Sequence, residues 1–297
     1  MIWPRRFLKG LERLGHRFFY LAIRCGGRGG GRLLLGPVIL FYMICSRKIH
    51  RTLAPYLQRR FPQMGHWKLF WAAYRVVFSF GTVLVDRAWL GICKGAALQE
   101  DVVDQTILED AVKAGKGAVL LMAHVGNWQA TLSRLNCLGA KVHVLMDYDA
   151  HAVTKHYFEL RSGKKPFEII NVNGPFGGML AAAAALRAGD LVVIMGDRYI
   201  GGHSVTANFY NSPVRISTSA YMLAATAAAP VVVLLAANRG GKHFQVRAWD
   251  CFYPQYKGRD SRADMLQECA ERYLAALESY LQEYPYQWYN FYNFWEQ

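Results

Sequence analysis

The sequence predicts an α/β fold: a mostly parallel central sheet flanked by helices, following an N-terminal amphipathic and hydrophobic helical segment. Three observations predict it. Wholly apolar runs at 117–123, 191–195 and 231–235 are too short for core helices, and the last two are dominated by β-branched residues, as strands buried on both faces are. Between such runs lie amphipathic or alanine-rich stretches, which is the βαβ rhythm of a parallel sheet. Glycines at 115, 117, 139 and 189 mark the joints.

At the N-terminus, Trp3, Phe7, Leu11, Leu14, Phe18 and Leu21 recur at steps of three and four, with Arg5, Arg6, Lys9, Arg13 and Arg17 between them. That is a basic amphipathic helix, suited to an anionic membrane surface; the alternative is an ordinary helix packed on the core. Gly26, Gly27, Arg28 and Gly29 to Gly31 then read as a flexible break, and not a phosphate loop, since neither a preceding strand nor a Gly-Lys-Ser/Thr ending is present. Residues 33–45 carry no charge but fall short of the roughly twenty needed to span a bilayer, and Pro37 would kink them. A shallow or re-entrant insertion is expected. A basic helix at 50–60 closes before Pro62, and an aromatic-rich helix at 66–93 carries Asp86 and Arg87. Residues 1–60 are thus taken as a membrane-associating segment and 61–297 as the α/β domain.

Within that domain the pattern predicts helix 105–114, strand 117–123, helix 127–138, strand 141–146, helix 152–161, strand 167–171, helix 176–188 and strand 191–195. The rhythm then changes to strand 204–210, helix 216–228, strands 231–235 and 243–249, and a closing helix 260–284 before Pro285.

Composition narrows the function classes. The 297 residues are 53% hydrophobic and only 19% charged, which suits membrane contact. The net charge of +14 is concentrated in residues 1–60, where thirteen Lys and Arg face the single acid Glu12. A basic segment also suits nucleic acid, but here the cations are interleaved with large apolar residues and no DNA or RNA module motif follows, so no nucleic-acid partner is expected. Six scattered cysteines without a Cys-x-x-Cys pair read as small buried hydrophobes in a reducing compartment. Nine histidines without ligand spacing predict no metal, and no cofactor is expected.

The candidate chemistry centres on His124. It follows the strand at 117–123 on the turn into the next helix, and the carboxyl ends of strands in open α/β sheets are where ligands bind. A histidine there has a neutral nitrogen at physiological pH and suits a general base; a hydrogen-bonding surface or core histidine is the plain alternative. No Gly-x-Ser-x-Gly elbow is present, so a covalent acyl-enzyme is not indicated.

The hexapeptide His124-Val125-Gly126-Asn127-Trp128-Gln129, with a strand before it and a helix after, resembles the signature of the bacterial lipid A late acyltransferases, of the lysophospholipid and glycerolipid acyltransferase superfamily. Their motif is His, four residues, then Asp or Glu, written His-x-Gly-Asn-Trp-Glu. A second segment, with Asp197, Arg198, Gly201, Phe209 and Pro213, resembles the block in which an Asp-Arg pair follows a strand. Arg239, at the end of a buried strand, and Pro285, Gln287 and Trp288 near the C-terminus resemble further family segments.

The resemblance implies a membrane-associated O- or N-acyltransferase at the cytoplasmic face of a bacterial inner membrane. It would move a fatty acyl chain from acyl carrier protein or acyl-CoA, as co-substrate, to a lipid or glycolipid acceptor. His124, Gln129 and Asp197 would be its catalytic residues. Gly126, Asn127, Trp128, Arg198 and Arg239 would bind substrate, Arg198 as a phosphate anchor. The departure is Gln129, which stands where the family carries its acid. Either another acid, from Asp197, Asp147 or Asp149, compensates, or the chain is a catalytically weak lipid-binding relative. The aromatic stretch 284–295 suits a membrane interface or a packing lid. Together with the N-terminal helix it is expected to dock the domain on lipid.

Overall fold

The computed structural model describes residues 5–93, 97–132, 135, 139–147, 167–199, 201–256, 258 and 260–296. The expected helix 152–161, Asp149, Trp3 and Cys137 lie outside these, as do the side chains of residues 5–14. The fold is α/β, with a mostly parallel seven-stranded sheet flanked by helices and a separate two-stranded ribbon.

Three helices come first: α1 (Arg5–Cys45), α2 (Arg47–Arg60) and α3 (His66–Ile92). The glycine-rich stretch is not a loop. Only Gly27 leaves helical geometry (φ 58°, ψ −148°), and the helix resumes beyond it. A Cβ on Gly31 would come within 2.8 Å of Val85, so these glycines let α1 and α3 approach closely. Arg28 then grips Asp86 with two bonds of 2.7 Å, and Arg32 adds a third at 3.4 Å. Asp86 is 1% exposed, and Arg28 also donates to the carbonyl of Gly241.

Leu53, Tyr56 and Leu57 of α2 are buried in the same continuous core as the strands. By length and composition, residues Arg17–Cys45 and His66–Ile92 each suffice to cross a membrane. Their outer faces leave Phe18, Leu21, Leu33, Phe41, Ile44 and Trp67 exposed.

The α/β part follows as β1 (Gln99–Val103), α4 (Gln105–Lys113), β2 (Ala118–Met122), α5 (Trp128–Leu132), β3 (Val142–Met146), β4 (Glu168–Asn171), α6 (Met179–Arg187) and β5 (Leu191–Met195). After these come β6 (Ser204–Phe209), β7 (Ser212–Ser217), α7 (Ser219–Ala227), β8 (Val231–Gly240), β9 (His243–Phe252) and α8 (Asp260–Glu283). The sheet order is β1-β9-β8-β2-β5-β3-β4, with β8 and β9 antiparallel and the other neighbours parallel. Every residue of β2 is buried, as its unbroken apolar run requires.

The sequence reading differs from this in further places. Strand β1 was not expected, because Gln99-Glu100-Asp101 at a sheet edge shows neither alternation nor an apolar run. The stretch read as helix from 216 begins as β7, which pairs antiparallel with β6 and buries Val214 and Ile216; the helix starts only at Ser219. Helix α6 starts at 179 and not 176, since Phe176, Gly177 and Gly178 take successive left-handed conformations. Of the described cysteines only Cys269 is buried, whereas Cys25 and Cys45 are exposed on α1.

Candidate active site

Two strand ends meet at the site. In the β2–β5 ladder Met122 stands opposite Met195, and the Gly196 N–H donates to the Met122 carbonyl at 2.8 Å, so the ladder runs on past both strands. Two residues further, His124 and Asp197 lie side by side. The His124 Nδ1–H donates to Asp197 Oδ1 at 2.8 Å, and the His124 backbone N–H donates to Oδ2 at 2.9 Å. Glycines permit this geometry. A Cβ on Gly196 would come within 2.8 Å of the Tyr273 ring, and one on Gly126 (φ 46°) within 2.0 Å of the Ala236 carbonyl oxygen.

Asp197 is 1% exposed and stays ionised. Burial alone would push its carboxyl up. The opposing imidazole charge, the two bonds from His124 and one from the Trp288 indole outweigh that and hold it below the ordinary carboxylate value. The imidazole is 17% exposed, and its Nε2 has no hydrogen-bond partner among the described residues. An Nδ1–H held by a carboxylate fixes the tautomer that presents a basic Nε2 lone pair.

The C-terminal segment closes round this pair. Trp288 bridges to Val125, the Gly126 N–H donates to the Gln287 carbonyl at 2.9 Å, and the Tyr289 N–H donates to the His124 carbonyl at 2.8 Å. The Gln287 side chain takes the Asn238 N–H at 2.7 Å and donates to the Asn238 carbonyl at 2.9 Å, tying the segment to β8. Trp288 Nε1–H donates to Asp197 Oδ2 at 3.1 Å, and the Tyr292 hydroxyl donates to the Asp197 carbonyl. Trp288, Tyr289 and Phe294 of the aromatic tail are buried and pack inside the domain, while Tyr286, Phe291, Tyr292 and Trp295 stay half-buried. Gln287, Trp288 and Tyr292 beside the pair were not among the expected site residues; the Pro-x-Gln-Trp match at 285–288 was a signal for the first two, and Tyr292 had none.

The other candidate residues fall out as follows. Trp128 sets its ring edgewise to the imidazole, centroids 5.4 Å apart, and Asn127 is buried beside it in sequence. Gln129 is buried, but its oxygen accepts from Arg87 Nη1 of α3 at 3.4 Å and makes no described bond to His124. Asp147 accepts from Asn173 at 2.7 Å, so of the described acids Asp197 alone partners the histidine. Arg198 is exposed, with its guanidinium 5.9 Å from the Tyr292 ring centroid. Arg239 lies at the far end of β8, paired with Glu283 at 3.4 Å and with the Tyr284 hydroxyl, and no described contact joins it to His124.

Among the described residues no group of three His, Cys, Asp or Glu could hold a metal ion. The arrangement can take a proton from a substrate hydroxyl or amine and hold the resulting imidazolium against a buried carboxylate. A family profile described as bacterial lipid A biosynthesis acyltransferase matches residues 77–297. No curated protein sequence matches the chain.

Proposed function

The chain belongs to the bacterial lipid A biosynthesis acyltransferase family and is an acyltransferase, and from that premise we propose that His124 and Asp197 form its base-and-carboxylate pair. The acyl chain comes from acyl carrier protein or acyl-CoA, and the acceptor is a lipid or glycolipid hydroxyl or amine. In the step proposed, His124 Nε2 takes the acceptor proton as its oxygen or nitrogen forms a bond to the thioester carbon. The C–S bond then breaks, and the thiolate leaves with the proton returned from the imidazolium. Asp197 carries the compensating charge throughout. The observation that supports this most is the 2.8 Å Nδ1–Oδ1 bond beside an Nε2 with no hydrogen-bond partner among the described residues. Asn127 and Trp128 flank the reacting atoms, and exposed Arg198 anchors a substrate phosphate.

Membrane contact through the outer faces of α1 and α3, at the cytoplasmic side of a bacterial inner membrane, is part of the reading. It is supported by exposed Leu33, Phe41, Ile44 and Trp67, by the exposed cations Arg47, Lys48 and Arg51, and by the Arg87–Gln129 bond that brings α3 over the catalytic turn. Arg28, Arg32, Arg59 and Arg60 are engaged in internal contacts, which weakens the N-terminus as a nucleic-acid surface.

The test is transfer of a radiolabelled acyl chain from its acyl carrier protein thioester to detergent-dispersed lipid A precursor by purified protein. His124→Ala should lower the rate by at least about 10³. A variant keeping a tenth of the activity would exclude His124 as the base.

The second reading, a weak lipid-binding relative, rests on Gln129. Because Asp197 already takes the imidazole N–H and Gln129 faces Arg87, a glutamate at 129 has no vacant ring proton to accept. Gln129→Glu is accordingly expected to leave kcat within about threefold, under 1 kcal/mol of barrier. A rise of tenfold or more would mean that Gln129 attenuates catalysis.

A further inference from the structure

Building on the His124–Asp197 reading, we propose that Trp288 is a positioning residue for that pair, and that α2 supports it through Tyr56. Oδ2 of Asp197 receives two donors, the His124 backbone N–H at 2.9 Å and the Trp288 indole N–H at 3.1 Å. Two donors on one oxygen fix the carboxylate's rotation, which leaves Oδ1 facing Nδ1 at 2.8 Å. Without the indole, one donor remains on Oδ2 and the carboxylate can turn about its Cβ–Cγ bond.

Trp288 is itself tightly held. It is 0% exposed, and the Tyr56 ring meets it edge-on at 5.0 Å, that of Phe209 at 5.7 Å and that of Phe294 at 5.3 Å. The Tyr56 hydroxyl donates to the Pro285 carbonyl at 2.7 Å, three residues before the indole. Tyr56 belongs to α2, and the chain from α2 to the imidazole is therefore Tyr56, Trp288, Asp197, His124, each in direct contact with the next. On this basis the N-terminal helices are part of the catalytic framework and not a detachable anchor. The groups facing Asp197 are His124 from the β2 turn, Tyr273 from α8, and Trp288 and Tyr292 from the tail, with exposed Arg198 next in sequence.

The decisive variant replaces Trp288 with β-(3-benzothienyl)alanine, which keeps the bicyclic shape and puts sulfur where the N–H was. A carboxylate that loses a donor is more basic and holds the shared proton more tightly, so the acid limb of the kcat/KM profile should move to higher pH. The expected result is a fall in kcat of about tenfold, as for one hydrogen bond to a charged group, with KM for acyl carrier protein unchanged and the melting temperature retained. Trp288→Phe should show the same shift, and Tyr56→Ala a smaller one in the same direction. An unmoved acid limb with kcat within twofold in the benzothienyl variant would overturn the proposal. The underlying reading fails separately, if His124→Ala remains active. Silent Trp288 variants beside an inactive His124→Ala would sink the positioning role alone.

Discussion

Asp197→Asn is expected to lower kcat by about 10⁴, the size of effect seen when an acid holding a catalytic histidine is amidated. The reason lies in the donors already in place. Oδ2 takes the His124 N–H and the Trp288 indole N–H, and Oδ1 takes the imidazole N–H, so in each of the three described hydrogen bonds the carboxylate accepts. An amide has one acceptor oxygen. With that oxygen on the doubly bonded side, its NH₂ faces Nδ1, which must then accept, and the proton moves to Nε2 and blocks the base. KM for the acyl donor should change little, and single-turnover transfer measures the loss directly. A kcat within tenfold of wild type would mean that the carboxylate does not set the tautomer.

The same residue predicts an acid-side effect on stability. Its folded value is depressed, so its contribution is complete above the unfolded aspartate value near 4 and is lost as pH falls through the folded one. Urea midpoints of wild type and Asp197→Asn should therefore converge below about pH 4. A gap that stays constant into that range would contradict the sign.

Asp86→Ala should destabilise the fold by about 3–5 kcal/mol, because it leaves Arg28, whose side chain is 10% exposed, charged and unpaired against the core. In a chain of this size the melting temperature should fall by on the order of 10 °C. Replacing Arg28 and Arg32 with leucine together with Asp86 by methionine should cost far less, since the whole ion cluster goes and no buried charge is then stranded. Calorimetry on the three proteins checks this. If the single variant lost less than 1 kcal/mol, the pair would not be the link between α1 and α3.

Much of the fold was legible in the chain because its signals are local. Strand β5 falls at 191–195 as read, and the long closing helix matches within a residue, since an unbroken apolar run rich in β-branched residues and an amphipathic stretch before a proline each declare themselves without reference to partners. The turn bearing His124 was equally plain. Gly126 is required there by a close backbone approach.

What the tertiary structure decided are matters of lateral neighbourhood. The polar edge strand β1 exists because β9 offers it a ladder, and β7 because β6 precedes it. Gly27 reads as a break by composition, yet the kink carries Arg28 to Asp86, 58 residues away. The acid for His124 lies 73 residues downstream, and the indole that holds it lies 91 beyond that acid. Periodicity, caps and breakers report on the few residues around them. Which strand lies beside which, and where a tail threads back, depends on the burial of whole surfaces, and so the sequence alone left the choice of acid open where, among the described residues, the β2–β5 register sets Asp197 beside the imidazole.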